Sequence, residues 1–284
     1  MVVTFDSHPR LVLHPDDTSI RLINVNSRKF ERLAAANIDH LIVLPFTTDF
    51  ARMPWDKFIG EIIVGQIAAK HLVVGYDHRF GNNREGSREK MQELARQHGF
   101  GVEEVEEFLI DGIEVSSTRI RKALNGGNIT EANRLLGYEY SITGKVVRGN
   151  RIGHQLGFPT ANIVTDDRYK LIAANGVYAS RVEWNGVLYG GMSNIGIRPT
   201  INDNKFAVEV NIFDFDQEIY DECLTVYFVE RLRDEIKFDS LEALKAQIKA
   251  DDAQIRQILQ RHTQPAPVSY WPEGCDPCGN ACTD

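Results

Sequence analysis

A glycine-rich run followed by a hydroxyl and an amide is the part of this sequence best suited to chemistry. Gly149, Gly153 and Gly157 are spaced four residues apart, and the segment "GFPTAN" then presents Thr160 and Asn162 after a rigid proline. Bare backbone can approach a polyphosphate closely, and hydroxyl and amide oxygens suit Mg²⁺. We therefore expect a cradle for a magnesium-bound nucleotide, built from β-turns and lacking the following helix of a Walker loop. The alternative is a glycine-rich hairpin in which the Thr and Asn side chains form hydrogen bonds within their own turn.

A carboxylate that could act on a substrate hydroxyl lies in the run "AVEVNIFDFD". The run alternates like a β-strand, which places Glu209 on the face opposite Val208 and Val210. A carboxylate on the face that meets the glycine run would accept the proton of an attacking hydroxyl. The alternative is an exposed strand glutamate, which is the commoner fate of this residue type.

A second phosphate-binding pattern is the segment "EVSSTRIRKALNGG". Its serines stand where a helix should begin and its two glycines where that helix should end, so Ser117, Thr118 and Arg119 lie at the helix start. The free N–H groups and the positive end of the helix dipole favour phosphate there, and arginine adds a fixed charge. An ordinary serine cap with solvated arginines is the alternative.

The motif "GYDHRFG" directly follows the apolar run "HLVV", which reads as a buried strand. Ligands of α/β sheets bind beyond the carboxyl ends of the strands, so Asp77 and Arg79 are candidate binding residues. A polar surface loop that happens to follow a strand is the alternative, because isolated motif matches are often accidental.

The secondary-structure elements that must position these residues follow two different patterns along the chain. In the first half, short apolar runs alternate with amphipathic stretches, which predicts a parallel sheet flanked by helices. From residue 138, β-rich runs split by Asn-Gly pairs predict an antiparallel barrel or sandwich, followed by a helix over 239–259 capped by Asp239 or Ser240. The expected organisation is an α/β domain over 1–137, a β-barrel domain with its helix over 138–262, and a loose tail over 263–284.

The composition narrows the possible partners and the cellular compartment. The 284 residues, 43% hydrophobic and 25% charged, favour two globular domains, and the net charge of -8 without a basic stripe disfavours nucleic acid and anionic membranes. No segment reaches the roughly 20 apolar residues of a membrane helix, and the start lacks a signal-peptide pattern. Cys275, Cys278 and Cys282 lie close to the C-terminus and are one ligand short of a closed zinc site, so we expect a flexible tail. Cysteines clustered in this way do not form a disulfide framework, so we expect a reducing cytoplasm.

Taken together, the motifs resemble the bacterial bifunctional riboflavin kinase/FMN adenylyltransferases, also called FAD synthetases. The resemblance spans residues 2 to 250 and rests on ordered segments that include "GYDHRFG", "SSTRIR", "LGFPTAN", "SNIGIRPT", "VEVNIFDFD" and "LRDEIKFDSLEAL". It implies a Rossmann-like nucleotidyltransferase α/β domain that adenylylates FMN and a C-terminal antiparallel β-barrel that phosphorylates riboflavin. It also implies Mg²⁺, ATP as co-substrate, and riboflavin, FMN and FAD as substrates and products.

The resemblance further implies roles for individual residues. In the barrel it implies Mg–ATP binding by Thr160 and Asn162, and catalysis by Glu209 as the base that activates the ribityl 5′-hydroxyl of riboflavin. The other residues that it indicates are Gly153 and Gly157 beside the phosphates, Asn194 and Arg198 in the flavin pocket, Ser117, Thr118 and Arg119 at the phosphates of the first domain, and Asp6, His8, Asp77 and Arg79 on its flavin side.

The sequence departs from the family pattern at its start. Family members begin with a strand and a G-x-F-D-G-V-H-x-G-H segment, whereas Met1 here precedes what matches the second strand. Ser7 replaces the usual proline of "FDPHP", and Asp221 replaces the glycine of "LYG". The kinase residues all lie beyond position 145, so riboflavin phosphorylation is expected of the chain as printed. Adenylyl transfer is expected only with an upstream segment that supplies the missing histidines.

Two other classes of function compete with the enzyme hypothesis. The first is a flavin- or nucleotide-binding protein that kept the folds and lost the chemistry, against which the intact set of Thr160, Asn162 and Glu209 argues. The second is nucleic-acid binding through the α/β layer, which the acidic balance disfavours. The sequence does not determine the oligomeric state.

Overall fold

The computed structural model describes residues 1–17, 19–75, 88–149, 152–165, 167–200 and 203–262. Asp77, Arg79, the side chain of Arg198 and the tail over 263–284 lie outside this description. Contacts between Cα atoms divide the chain into two compact units: Met1–Ile20 with Ile38–Val115, and Arg21–Asn37 with the residues from Ser116 onward.

The described helices and strands alternate in the first half of the chain and become mostly strands in the second. In chain order they are β1 (Val2–Phe5), α1 (Pro9–Leu13), α2 (Asn26–Ala35), β2 (Leu41–Leu44), α3 (Thr48–Ala51), α4 (Trp55–Lys57), a π-helix (Phe58–Gln66), β3 (His71–Gly75), α5 (Arg88–His98), β4 (Gly101–Val105), β5 (Leu109–Ile110), β6 (Ile113–Glu114), α6 (Ser117–Asn125), α7 (Ile129–Leu136), β7 (Tyr140–Val147), α8 (Ile152–Leu156), β8 (Ala161–Val164), β9 (Gly176–Trp184), β10 (Val187–Thr200), β11 (Asp203–Ile212), β12 (Cys223–Arg233) and α9 (Leu241–Arg261).

The first unit contains the parallel strand pairing that the alternating pattern predicts. Strand β1 pairs with β2, and β3 pairs with β4, both in parallel. Among the described residues these are separate two-stranded sheets rather than one continuous sheet. The core lies where Ile59 and Ile63 of the π-helix pack against Met91 and Leu94 of α5, with Phe100 beside them.

The second unit is a closed antiparallel barrel, which decides between the barrel and the sandwich that the sequence left open. Its six described strands follow the order β10-β11-β8-β7-β12-β9. Paired residues share a face of a sheet, and one such set runs around the barrel and is buried. Its members are Val182, Val226, Ile142, Val146, Ile163, Val208 and Ile195. Alternation therefore sends the side chains between them to the outside.

Helix α9 covers part of the outer face of the barrel. The Ser240 side chain accepts a hydrogen bond from Ala243 N at 3.1 Å, so the predicted cap is Ser240. Ile255 and Ile258 pack against outer-face residues such as Val177. A buried carboxylate, Asp251, anchors the helix to β12 because it accepts hydrogen bonds from Arg233 Nε and NH2.

The segment that carries α2 also packs against the barrel. Leu22 N donates to Tyr169 O at 2.7 Å, and the Arg28 guanidinium lies over the Tyr227 ring. Lys170 is buried beneath the segment and donates from Nζ to Ile23 O at 2.6 Å. Burial, reinforced by repulsion from Arg28, lowers the pKa of Lys170 to about 7.

Helices α6 and α7 cluster with the barrel rather than with the α/β unit. Asn133 joins α7 to the barrel because its Nδ2 donates to Phe228 O and its Oδ1 accepts from Tyr140 N, both at 2.8 Å. The contact boundary therefore falls between Val115 and Ser116, and the functional boundary at 137/138 stays a prediction. None of the described helices is long and apolar enough to cross a membrane.

Candidate functional site

Glu209 and Asn162 lie side by side on the outer face of the barrel. In the antiparallel ladders, Glu209 of β11 pairs with Asn162 of β8 and with Asn194 of β10. Cβ atoms of directly paired residues lie about 5 Å apart. Glu209 is half-buried, whereas Val208 and Val210 are 3% and 0% exposed. The predicted phase of this strand is thus confirmed, and three polar side chains form one row.

Glycines leave room for the side chains that were predicted to hold the metal. A Cβ on Gly149 would lie 2.2 Å from Nδ2 and 2.8 Å from Oδ1 of Asn162, so only glycine fits there without displacing the amide. A Cβ on Gly153 would lie 2.3 Å from Phe158 O and 3.4 Å from Thr160 Oγ1. Gly149 and Gly153 therefore pack against the polar pair, and the nucleotide cradle stays a prediction.

The local backbone of the cradle differs from the prediction in one respect. A system of β-turns was expected, but Ile152–Leu156 forms the short helix α8. Phe158 N donates to Gly153 O at 2.8 Å, which folds the helix back toward the segment that carries Thr160. Gly157 has φ of 84°, a left-handed conformation that glycine adopts without strain. The helical turn closes here because glycine can reverse the chain.

The side-chain oxygen atoms of Thr160 and Asn162 suit Mg²⁺ better than a softer metal. Within the described part of the chain, no group of three or more His, Cys, Asp or Glu side chains could hold a metal ion. Thr160 and Asn162 instead offer neutral oxygens, and Mg²⁺ is commonly held by few protein ligands together with substrate phosphates. Among the three glycines of the run, Gly157 is the one at which an added Cβ would meet nothing within 4 Å, so open space for such phosphates lies there.

Asn194 joins the row, and a residue that sequence reasoning missed contacts it. Asn194 Nδ2 donates to Glu235 Oε1 at 3.2 Å, and a Cβ on Gly196 would lie 2.5 Å from the same oxygen. Glu235 lies in the irregular segment after β12, where no periodicity signals a role. Arg198 pairs through its backbone with Lys205, but its side chain lies outside the described residues.

The residues predicted for adenylyl transfer are distributed over both compact units. Ser117, Thr118 and Arg119 form the exposed first turn of α6 in the second unit, where the cap residue makes no side-chain hydrogen bond. In the first unit, Asp6 Oδ1 accepts from Phe46 N at 2.9 Å, and His8 Nδ1 accepts from Arg10 N at 3.2 Å. The first contact joins the segments that follow β1 and β2, the second caps α1, and the flavin role of both residues stays a prediction.

Two protein-family models match successive parts of the chain. The riboflavin kinase family model (Flavokinase) matches residues 136–259, which include the barrel and most of α9. The FAD synthetase family model (FAD_syn) matches residues 1–119. The fold and the site thus define an enzyme that combines a nucleotidyltransferase-type domain with a flavokinase barrel.

Comparisons with individual proteins identify the family. The bifunctional riboflavin kinase/FMN adenylyltransferase of Haemophilus influenzae is 38% identical over 251 residues, covering 88% of this chain and 80% of the relative. The protein of the same name from Escherichia coli is 34% identical, covering 91% and 82%. A solved structure described as a macrolide-efflux protein from Streptococcus pneumoniae matches with a TM-score of 0.82 at 35% identity, covering 90% and 82%. The chain belongs to the bifunctional riboflavin kinase/FMN adenylyltransferase family.

Proposed function

We propose that this protein transfers the γ-phosphoryl group of ATP to riboflavin at the outer barrel face that carries Thr160, Asn162 and Glu209. One observation carries the proposal: the ladder pairs Glu209 with Asn162, while Gly149 and Gly153 pack against Asn162 and Thr160. A candidate base, two metal-ligand candidates and the glycine-rich segment are thus adjacent. A binding protein that had lost its chemistry would have no need to keep all of them together.

The chemistry follows from the position of the carboxylate. Glu209 accepts the proton of the ribityl 5′-hydroxyl as that oxygen attacks the γ-phosphorus. The new oxygen–phosphorus bond forms while the bond to the bridging oxygen breaks, and ADP leaves with that electron pair. Glu209 lies in the middle of a three-strand ladder, between β8 and β10, so its backbone is held rigidly while it does this.

Thr160 Oγ1 and Asn162 Oδ1 are the atoms that would hold Mg²⁺. When bound, the ion supplies positive charge that offsets the charge on the phosphates. The chain itself orients the nucleotide, because Gly157, at which an added Cβ would meet nothing within 4 Å, leaves backbone open to phosphate oxygens three residues before Thr160. Asn162 is 7% exposed, so its amide is held in place and largely shielded from bulk water.

The test is formation of FMN from riboflavin, ATP and Mg²⁺ by the purified protein. Glu209→Gln should lower kcat by about 10² to 10⁴-fold, the usual contribution of a general base. Glu222→Gln, which removes a charge from an exposed position before β12, is the matched control. Flavin binding without turnover by the unmodified protein would favour the non-catalytic alternative, and a Glu209→Gln rate within threefold of wild type would exclude Glu209 as the base.

A second activity, adenylylation of FMN to FAD, is favoured by the FAD synthetase match over residues 1–119. We assign phosphate binding in this reaction to the exposed first turn of α6. Arg119→Ala should lower FAD formation at least tenfold and leave FMN formation unchanged, because a charge-assisted hydrogen bond contributes about 1.5 to 3 kcal/mol. Equal losses in both reactions would contradict the assignment.

A further inference from the structure

We infer that Asn211 is a positioning residue that holds Thr160 in register with Glu209. Asn211 lies on β11 two residues after Glu209, and it is 7% exposed. Its Nδ2 donates a hydrogen bond of 2.7 Å to Pro159 O, 52 residues away in sequence. The inference rests on the proposed kinase function, because it concerns the geometry of the same site.

The backbone around Thr160 needs such a support because strand pairing ends before it. The ladder between β8 and β11 runs from Val208↔Ile163 to Val210↔Ala161 and stops there. Thr160 therefore lies one residue outside the strand that fixes Asn162. Proline lacks an N–H group, so Pro159 contributes only its carbonyl to any further pairing.

Asn211 supplies that missing contact with a side chain. Its bond to Pro159 O extends the connection between β8 and β11 by one step, on the same face as Glu209. From the other side, Phe158 N is tied to Gly153 O at 2.8 Å, so the peptide before Thr160 is held at both ends. The Thr160 hydroxyl is thereby placed relative to the base strand and to the glycine run at once.

The kinetic test replaces Asn211 by leucine, which keeps the approximate shape and removes the donor. Asn211→Leu should lower kcat/KM for Mg·ATP by about 10 to 100-fold, because a displacement of 1 Å in a reactive site can cost 10²-fold. Asn211→His should recover at least part of this loss, because the imidazole Nδ1 is separated from Cα by the same number of covalent bonds as the asparagine Nδ2 and can donate a hydrogen bond. Asn133→Leu is the control, because it removes side-chain contacts to the backbone elsewhere in the unit.

A double-mutant cycle separates positioning from general stability. If Asn211 acts through Thr160, the variant Asn211→Leu/Thr160→Ala should be no slower than Thr160→Ala alone. Losses that multiply, or a kcat/KM for Asn211→Leu within threefold of wild type, would overturn the inference. A purely structural role would lower the free energy of unfolding, as for Asn133→Leu, without changing kcat/KM of the folded enzyme.

Hydrogen exchange provides a readout that is independent of activity. In Asn211→Leu, peptides covering residues 153–162 should exchange faster than in wild type, whereas peptides from β9 should not change. Unchanged exchange over 153–162 would overturn the inference even if activity fell. The proposed function fails separately, through an absence of FMN formation in the wild type or an unaffected Glu209→Gln rate.

Discussion

Replacing Gly149 by alanine is expected to disable the kinase site by displacing one side chain. The added Cβ would lie 2.2 Å from Nδ2 and 2.6 Å from Cγ of Asn162. Non-bonded heavy atoms sit comfortably at about 3.5 Å, so the amide must move by roughly 1.3 Å. Asn162 is 7% exposed and pairs with Val147 on one side and Glu209 on the other. The amide therefore relieves the clash only by leaving its place in the row.

The displacement sets the size of the effect. A misplacement of 1 Å in a reactive site costs about 10²-fold in rate, so kcat/KM for Mg·ATP should fall about 100-fold. The fold should survive, because the atoms that yield belong to a side chain rather than to the backbone. Steady-state FMN formation with titrated Mg·ATP measures the effect, and circular dichroism reports the fold. Gly60→Ala is the control, because its Cβ would lie no closer than 3.4 Å to His98.

The reasoning also predicts how Gly149→Ala combines with loss of the amide. If the alanine acts through Asn162, the double variant Gly149→Ala/Asn162→Ala should match Asn162→Ala alone. A Gly149→Ala enzyme with kcat/KM within threefold of wild type would refute the predicted clash. If the double variant is slower than Asn162→Ala by the same factor by which Gly149→Ala is slower than wild type, Gly149 does not act through Asn162.

Three further predictions concern stability. Below pH 7 the Lys170 amine is protonated in the folded and in the unfolded chain, whereas from pH 7 to 9 only the unfolded chain keeps the proton. The free energy of unfolding should therefore rise with pH in this range, by up to about 1.4 kcal/mol per pH unit. In urea titrations at pH 7 and pH 9, Lys170→Met should remove this dependence of the unfolding free energy on pH. An equal dependence in the wild type and in Lys170→Met would contradict the burial of a neutral amine. Asp251→Ala should cost about 3 kcal/mol by urea denaturation, because Arg233 loses its carboxylate partner in a largely buried site; a cost below 1 kcal/mol would mean that the guanidinium reaches water. Ser240→Ala should cost about 1 kcal/mol through loss of the α9 cap, whereas Ser240→Asp, which keeps an acceptor, should leave the melting temperature nearly unchanged.

Much of the fold was predictable because its signals are local. Alternation in "AVEVNIFDFD" assigned Glu209 to the face opposite Val208 and Val210, and the ladder confirms it. Helical periodicity after Ser240 predicted α9, and the serine cap is present. Such features depend on side-chain period and on hydrogen bonds within a few residues, so they can be read along one stretch of chain.

The sequence by itself therefore determined the phase of β11, the position of α9 and the residue types that chemistry requires. Only the tertiary structure decided that the strands close into a barrel, that residues 21–37 pack with it, and that α8 replaces the expected turns. It alone placed Asn162 beside Glu209 and brought Asn211 to Pro159. These contacts join segments about 50 residues apart, and they depend on strand register, which burial of the whole barrel core selects and no local pattern encodes.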